Sequence, residues 1–347
     1  MIPYWIIFTI PVLAFIFPFK FSNSVNNLFW IFNMLILILF IGTRHEVGGD
    51  WSLYLQQFNE FKSTDNFFKE FNTTDYGYEI LSGTISILGF EIYTLNLICG
   101  LFFIVCLSSY ARRQNYPLLV IIIAVPYVIN VLGMGYVRQG IAFAFALLAI
   151  NALIKEKKII FFMWLFFGVL FHKSVILMGA LIIVSMPKIS IRYYILSAIV
   201  FYLMFILVQK DLIRLFTYYV GEERHLYSSG TLFRVILNII PAIIFIIYGK
   251  RMTNNIIERK IYLFMSLVSI ASLFFVNYAS TGVDRIMLYF IPLQLFVFSN
   301  LSLISKNNSL IFPINLIVIS FYTLVLYVWL NYALFSNKWV PYQTYLF

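Results

Sequence analysis

Residues 117–154 read PLLVIIIAVPYVINVLGMGYVRQGIAFAFALLAINALI, and a single charged side chain, Arg138, interrupts the run. A crossing of the hydrocarbon layer takes roughly 20 apolar residues, so the stretch holds two membrane helices, one from Pro117 and one from about Tyr136. The rest of the chain has the same character. Hydrophobic residues make up 62% of it and charged residues 11%, and its mean hydropathy is +0.91, well outside the range of soluble domains. Aromatic residues reach 20%, with 38 Phe and 24 Tyr. The composition is that of an integral membrane protein, and no basic leader with a cleavage site opens the chain, so the first span is expected to be retained.

Reading outward, apolar runs alternate with polar breaks to give an all-α polytopic bundle of about twelve membrane-embedded helices. The first two spans cover Ile2 to Phe19 and Leu28 to Thr43. Tyr78 to Phe90 is too short and mixed to cross and reads as an interfacial or re-entrant helix leading into the span Ile92 to Ser109. Later spans begin near Pro117, Tyr136, Ile159, Ser174, Tyr193, Thr231, Ile261, Ile286 and Leu310. The pair Ile159 to Phe171 and Ser174 to Met186 is short and meets at His172 and Lys173, as helices broken at a cavity do. Two larger external loops are expected, at 44–76 and 209–230. With no internal repeat or low-complexity linker, residues 1–347 read as one membrane domain.

Placing alternate loops on alternate sides puts 13 Lys and Arg against two acidic residues on one side, and 11 against 12 on the other. Positive-inside sorting makes the first side cytoplasmic and leaves the amino terminus outside. It also accounts for a pI near 9.4 without a nucleic-acid partner. Arg44, Arg138, His172-Lys173 and Asp284-Arg285 then share the external face, and ionisable groups at the edge of long apolar runs are functional candidates.

Each candidate carries a plainer alternative. Arg44 opens Arg44-His45-Glu46-Val47-Gly48-Gly49-Asp50-Trp51; it could meet an anion beside a flexible turn containing Gly49, or snorkel to headgroups. Asp50 could accept a proton or cap the amphipathic helix Trp51 to Phe61. Arg138, followed by Gln139, has no acidic neighbour in sequence. It calls for a phosphate ligand, which a guanidinium holds through two nitrogens, or a salt bridge to Asp284, Glu222 or Glu223. His172 could act as a general base beside a phosphate-clamping Lys173, or merely hydrogen-bond in the break. Glu222 and Arg224 belong to an aromatic external loop suited to stacking on a sugar, a composition that a solvated loop shares. Asp284 and Arg285 could form a structural ion pair. Cys99 and Cys106, within one apolar helix, read as small core residues.

No paired-His zinc motif, phosphate loop, nucleophile elbow or dinucleotide fingerprint is present. No metal or cofactor is expected. A transporter is expected to show matching halves with broken helices at mid-membrane, and the sequence displays no such halves.

The arrangement of Arg44 with Gly48-Gly49-Asp50 and Tyr54, then Tyr136-Val137-Arg138-Gln139-Gly140-Ile141-Ala142, Phe171-His172-Lys173-Ser174 and Asp284-Arg285 resembles the EpsG family. That family groups with the Wzy-type O-antigen and capsular polysaccharide polymerases. The resemblance runs from about Arg44 to Phe290. Gly49 departs from the Thr or Ser the pattern leads one to expect. What the resemblance implies is a GT-C-like bundle in the bacterial inner membrane, with its site facing the periplasm. It would transfer a growing glycan from undecaprenyl pyrophosphate to an incoming lipid-linked repeat unit. The pyrophosphate and glycan would lie against Arg138, Arg44, Lys173, Asp284, Arg285, Arg224, Glu222, Gly49 and Gln139, with His172 or Asp50 as base. The expected partners are the lipid-linked oligosaccharide and membrane lipids, with a chain-length regulator as a further candidate. An oligosaccharide ligase, a polyprenyl-phosphate sugar transferase and a lipid-linked glycan flippase are the alternatives.

Overall fold

The computed structural model describes residues 1–17, 23–62, 75–186, 230–277 and 280–346. Among these the protein is all-α, and its one β feature is an isolated antiparallel bridge between Arg44 and Thr344. Seven helices among the described residues are long and apolar enough to cross a membrane: Ser24–Gly42, Ile92–Ala111, Pro117–Gly135, Val137–Ile154, Thr231–Met252, Ser280–Ser299 and Asn308–Tyr332. Shorter apolar helices occupy Ile2–Ile16, Lys158–Phe171 and Lys173–Ser185. The fold is therefore the polytopic helical bundle expected. The late span expected from Ile286 starts earlier, at Ser280, because Ser280 to Arg285 supply a polar first turn with a partner helix of their own. The span expected near Tyr193 and the loop 209–229 lie outside the described residues.

The chain packs as two compact units. The first comprises Met1–Ala144, Leu170–His172 and Asn307–Phe347; the second comprises Phe145–Val169 and Lys173–Lys306. In the first unit α1 (Ile2–Ile16), α2 (Asn23–Gly42), α3 (Trp51–Lys62), α4 (Tyr76–Ile87) and α5 (Ile92–Ala111) precede α6 (Pro117–Ala124). A π-helical segment, Val125–Leu132, and the short α7 (Gly133–Gly135) continue α6. Pro126 has no N–H to donate to the preceding turn, and the wider π register accommodates its gap.

The α3 helix explains itself by spacing. Trp51, Tyr54, Phe58 and Phe61 recur at intervals of three and four and are its buried residues, the stripe of an amphipathic helix. That stripe packs on α4, where Ser86 Oγ donates to the Phe58 carbonyl at 2.9 Å. At 12 residues α4 is too short to cross, as its mixed sequence implies, and it leads into α5.

The carboxy-terminal segment closes this unit. Tyr342 stacks on Phe40 with ring centres 4.5 Å apart, the His45 N–H donates to the Gln343 carbonyl at 3.0 Å, and the Gly48 N–H to that of Lys338 at 2.9 Å. Trp339 is buried, and its Nε1 donates to the Asn130 carbonyl of the π segment at 2.8 Å. The two glycine-rich stretches meet beside it. Gly48 holds φ of +116°, and a Cβ there would stand 2.8 Å from the Met134 carbonyl oxygen. A Cβ on Gly135 would stand 2.5 Å from the Trp339 ring.

In the second unit, Thr231, Arg234 and Asn238 form a polar face on α11 (Thr231–Met252) with intervals of three and four. They meet α13 (Ser280–Met287) and the helix that follows it. Thr231 Oγ1 donates to the Ser280 carbonyl at 3.3 Å, Arg234 pairs with Asp284, and Asn238 Nδ2 donates to the Met287 carbonyl at 3.1 Å. Gln294 Nε2 then donates to Asn238 Oδ1 at 2.6 Å. One turn deeper Tyr262 and Phe296 stack at 4.1 Å. Both α10 (Leu181–Ser185) and α11 pack on α12 (Ile256–Ala271), whose amino end Asn255 caps by accepting from the Ile257 and Glu258 N–H groups. Cys99 and Cys106 are free and buried, as core residues should be.

Trp339→Ala should lower stability by about 3–5 kcal/mol, the usual cost of truncating a buried aromatic. Gly135→Val should add a clash with that same ring, so its cost should shrink in the Trp339→Ala background. Thermal unfolding of the four proteins in detergent measures the non-additivity; strictly additive losses would place the two residues apart.

Candidate functional site

Arg44 follows the last turn of α2, where the final helical carbonyls lack intrahelical donors and carry partial negative charge. Its side chain turns inward and is 1% exposed, so it does not snorkel. Nη1 donates to the Ile41 carbonyl at 2.6 Å and Nη2 to Asn96 Oδ1 of α5 at 2.9 Å, while the guanidinium lies 5.7 Å from the Trp51 ring centre. Among the described residues no carboxylate pairs with it. Three donors in this nest make no hydrogen bond there: Arg44 Nε, Asn96 Nδ2 and Trp51 Nε1. Burial pulls the Arg44 pKa below its ordinary value, yet an arginine keeps its proton. A buried positive charge therefore sits behind the α3–α4 layer.

Arg138 belongs to the first turn of α8 (Val137–Ile154), directly after the helix break at Tyr136. The amino end of a helix is a poor place for a cation, and Arg138 answers with a carboxylate and two phenols. Nη1 lies 3.3 Å from Asp75 Oδ2, with both side chains 15% exposed. The guanidinium stands 5.4 Å from the Tyr54 ring centre and 5.7 Å from that of Tyr78, and those rings are 5.4 Å apart. Burial raises both phenol pKa values, against the pull of Arg138, so both stay neutral. The Arg44 charge also reaches Tyr78, and Asp50 reaches Tyr54. The contact with Asp75 runs through one nitrogen at a loose distance, not through the two-pronged geometry that saturates a guanidinium.

Asp284 is one of the three carboxylates weighed above as salt-bridge partners of Arg138. Asp284 pairs with Arg234, which sits four residues before Asn238 on the polar face of α11, and Asp75 meets Arg138. Glu222, Glu223 and Arg224 lie outside the described residues. Asp50 immediately precedes α3, and its carbonyl accepts from the Tyr54 N–H at 3.0 Å. Gln139 and Gly140 follow Arg138 into α8, with Gln139 buried, while Gly49 lies 3.7 Å from the Trp339 ring by its would-be Cβ. His172 occupies the helix break foreseen between Phe171 and Lys173. Lys173 is buried and opens a 3-10 segment in the second unit, where Ser174 Oγ donates to Tyr289 Oη at 3.0 Å. Arg285 is exposed.

Four participants escaped the sequence. Asp75 immediately precedes α4, but its carboxylate makes no capping bond there and pairs with Arg138. Tyr78 and Asn96 sit on apolar helices where nothing marks them. His45 accompanies Arg44 and lies 2.7 Å from Tyr93 Oη through Nδ1, which places an imidazole beside the Trp51 and Tyr93 rings. Among the described residues no group of His, Cys, Asp and Glu converges as a metal site would require.

Together these features define a polytopic membrane protein with a guanidinium–phenol site at the end of its most buried helices. The sequence model of the EpsG family matches residues 27–344, nearly the whole chain, and the protein belongs to that family. The family is associated with Wzy-type polymerases, which makes this a polysaccharide-polymerase-like membrane protein. No curated protein and no solved structure matches the chain.

The Arg138–Asp75 pair is sheltered without being fully buried, so its coupling should exceed that of a surface pair, at about 1–2 kcal/mol. A double-mutant cycle of Arg138→Gln and Asp75→Asn, followed by thermal unfolding, measures it. A coupling near zero would mean the two side chains do not meet.

Proposed function

We propose that the protein polymerises a lipid-linked glycan, transferring the growing chain from undecaprenyl pyrophosphate to an incoming lipid-linked repeat unit. The observation that carries this reading is the state of Arg138. It lies between two phenols, is hydrogen-bonded with Tyr54 and meets Asp75 through one nitrogen at 3.3 Å, and the fork of such a guanidinium suits a ligand with paired anionic oxygens. Arg44 adds a second positive charge from behind, with Asn96 and Trp51 donors beside it.

In the reaction an acceptor hydroxyl oxygen forms a bond to the anomeric carbon of the donor. The bond from that carbon to the pyrophosphate oxygen breaks, and its electron pair leaves with undecaprenyl pyrophosphate. Arg138 stabilises the charge that grows on this leaving group, an effect that is large where water is excluded. The hydroxyl proton passes to Asp50 or His172; the position of Asp50 beside Tyr54, the phenol on which Arg138 rests, favours Asp50. The charge asymmetry of the loops supports a site on the face away from the cytoplasm, and the membrane proposed is the bacterial inner membrane, with the chemistry on its periplasmic side.

Arg138→Ala should abolish polymer while the protein stays in the membrane and single repeat units still reach the surface glycolipid. Arg138→Lys should restore little, since an ammonium cannot match the fork of a guanidinium. A loss of 100-fold or more is the scale for one charge-stabilising donor. Wild-type chain-length ladders from Arg138→Ala, read on a gel of extracted glycolipid, would remove the proposed role. A ladder replaced by one added sugar, or by finished chains on another acceptor, would favour the transferase and ligase alternatives.

A further inference from the structure

The first unit holds a second feature at the opposite end of α2 from Arg44. A cavity of about 1030 Å³ opens between the carboxy-terminal half of α1, the amino-terminal half of α2, the turn before α6 and the start of α15 (Ile311–Tyr332). Its walls are mostly apolar, Leu13, Ala14, Phe29 and Phe312 among them, and Trp30, Asn26 and Asn115 also stand in its lining. Arg44 follows Trp30 by fourteen positions, all but the last two within α2, roughly 20 Å along the axis, so the cavity and the guanidinium–phenol site face different leaflets.

Two polar features give the cavity a chemistry. Asn315 is part of the lining, is 1% exposed, and its Oδ1 accepts no hydrogen bond from any described residue. A buried acceptor left without a donor is costly, and here it borders an open space. Beside the lining residue Trp30, the exposed Arg112 holds its guanidinium 5.2 Å from the indole ring centre, with Trp30 fixed by its Nε1 donating to Ser108 Oγ at 2.8 Å. No Asp or Glu occurs in residues 1–45, 92–155 or 307–347, so none of the segments that build this end supplies a carboxylate for Arg112.

We propose that this cavity is a binding site for an anionic glycerophospholipid of the leaflet at that face. The acyl chains fill the apolar space, the phosphate meets Arg112, and a headgroup hydroxyl donates to Asn315. Basic pockets between membrane helices are the usual receptors of anionic headgroups. A neutral lipid would leave Arg112 without a counter-charge. The site is independent of the polymerase reading, since none of its residues belongs to the Arg44 and Arg138 cluster.

The test uses the full chain purified in mild detergent, stripped of lipid and titrated with phosphatidylglycerol or phosphatidylcholine while thermal unfolding is followed. Phosphatidylglycerol should raise the unfolding temperature by several degrees at saturation, and phosphatidylcholine should not. Arg112→Gln, on an exposed residue that leaves folding intact, should shift the phosphatidylglycerol midpoint about five-fold to higher concentration, the effect of one basic residue at a lipid surface. Ala14→Trp, which fills the cavity, should remove the response. Mass spectrometry of lipid carried through purification should find the anionic phospholipid on the wild type and lose it from Ala14→Trp. An equal response to both lipids, no response to either, an unchanged response in Ala14→Trp, or a polyprenyl phosphate as the carried lipid would each overturn the assignment.

Discussion

A guanidinium in an apolar helix bundle must find acceptors, and the first unit is organised around that requirement. Arg44 is buried with no described carboxylate beside it, held by the Ile41 carbonyl and the Asn96 amide. The α2 carboxy terminus supplies the first, because the last turn of any helix has carbonyls to spare. The second requires α5 to pack on α2 in one register. With Arg44 fixed, Trp51 covers it, which sets where α3 begins and hence where Tyr54 meets Arg138. Arg138 meets the same requirement differently, through an ion pair with Asp75 and the faces of two phenols. The result is one fully enclosed charge behind one that stays within reach.

Holding this arrangement falls to the carboxy-terminal segment. It runs beside the Arg44 loop through the Arg44–Thr344 bridge and its flanking hydrogen bonds, and Trp339 packs where Gly48-Gly49 and Gly135 leave room. The indole N–H lands on a carbonyl of the π segment. A π turn is a local compromise in hydrogen bonding, and such turns gather at functional sites. Here it precedes the break at Tyr136 that delivers Arg138 to the start of α8. Residues some two hundred positions apart thus control the geometry of one arginine.

How much of this the sequence disclosed depended on whether the signal was local. Long apolar runs identified the membrane helices, and the short, mixed stretch after Asp75 marked a helix that does not cross. Three-residue and four-residue spacing was there to be read on Thr231, Arg234 and Asn238, the face on which Arg234 meets Asp284. The Arg138–Asp75 pair had no such mark, because its members lie 63 positions apart and meet only once α3 and α4 have packed. Asp75 also stood where a capping residue would stand. Trp339 looked like one aromatic among many near a chain end, and only the packed structure shows its indole N–H meeting the Asn130 carbonyl of the π segment. The glycines were conspicuous in sequence, but as flexible turns; their use is close approach around a tryptophan.

The central claim is that the guanidinium–phenol site promotes glycosidic bond formation at the expense of a lipid pyrophosphate. The most direct measurement is to incubate the purified protein with undecaprenyl pyrophosphate-linked repeat units and resolve the products by size. The account predicts a ladder of glycans spaced by one repeat unit, with undecaprenyl pyrophosphate released in step with each added unit and no added metal or nucleotide donor. Unchanged repeat units from a folded protein, or their movement across a vesicle membrane without any new bond, would contradict it.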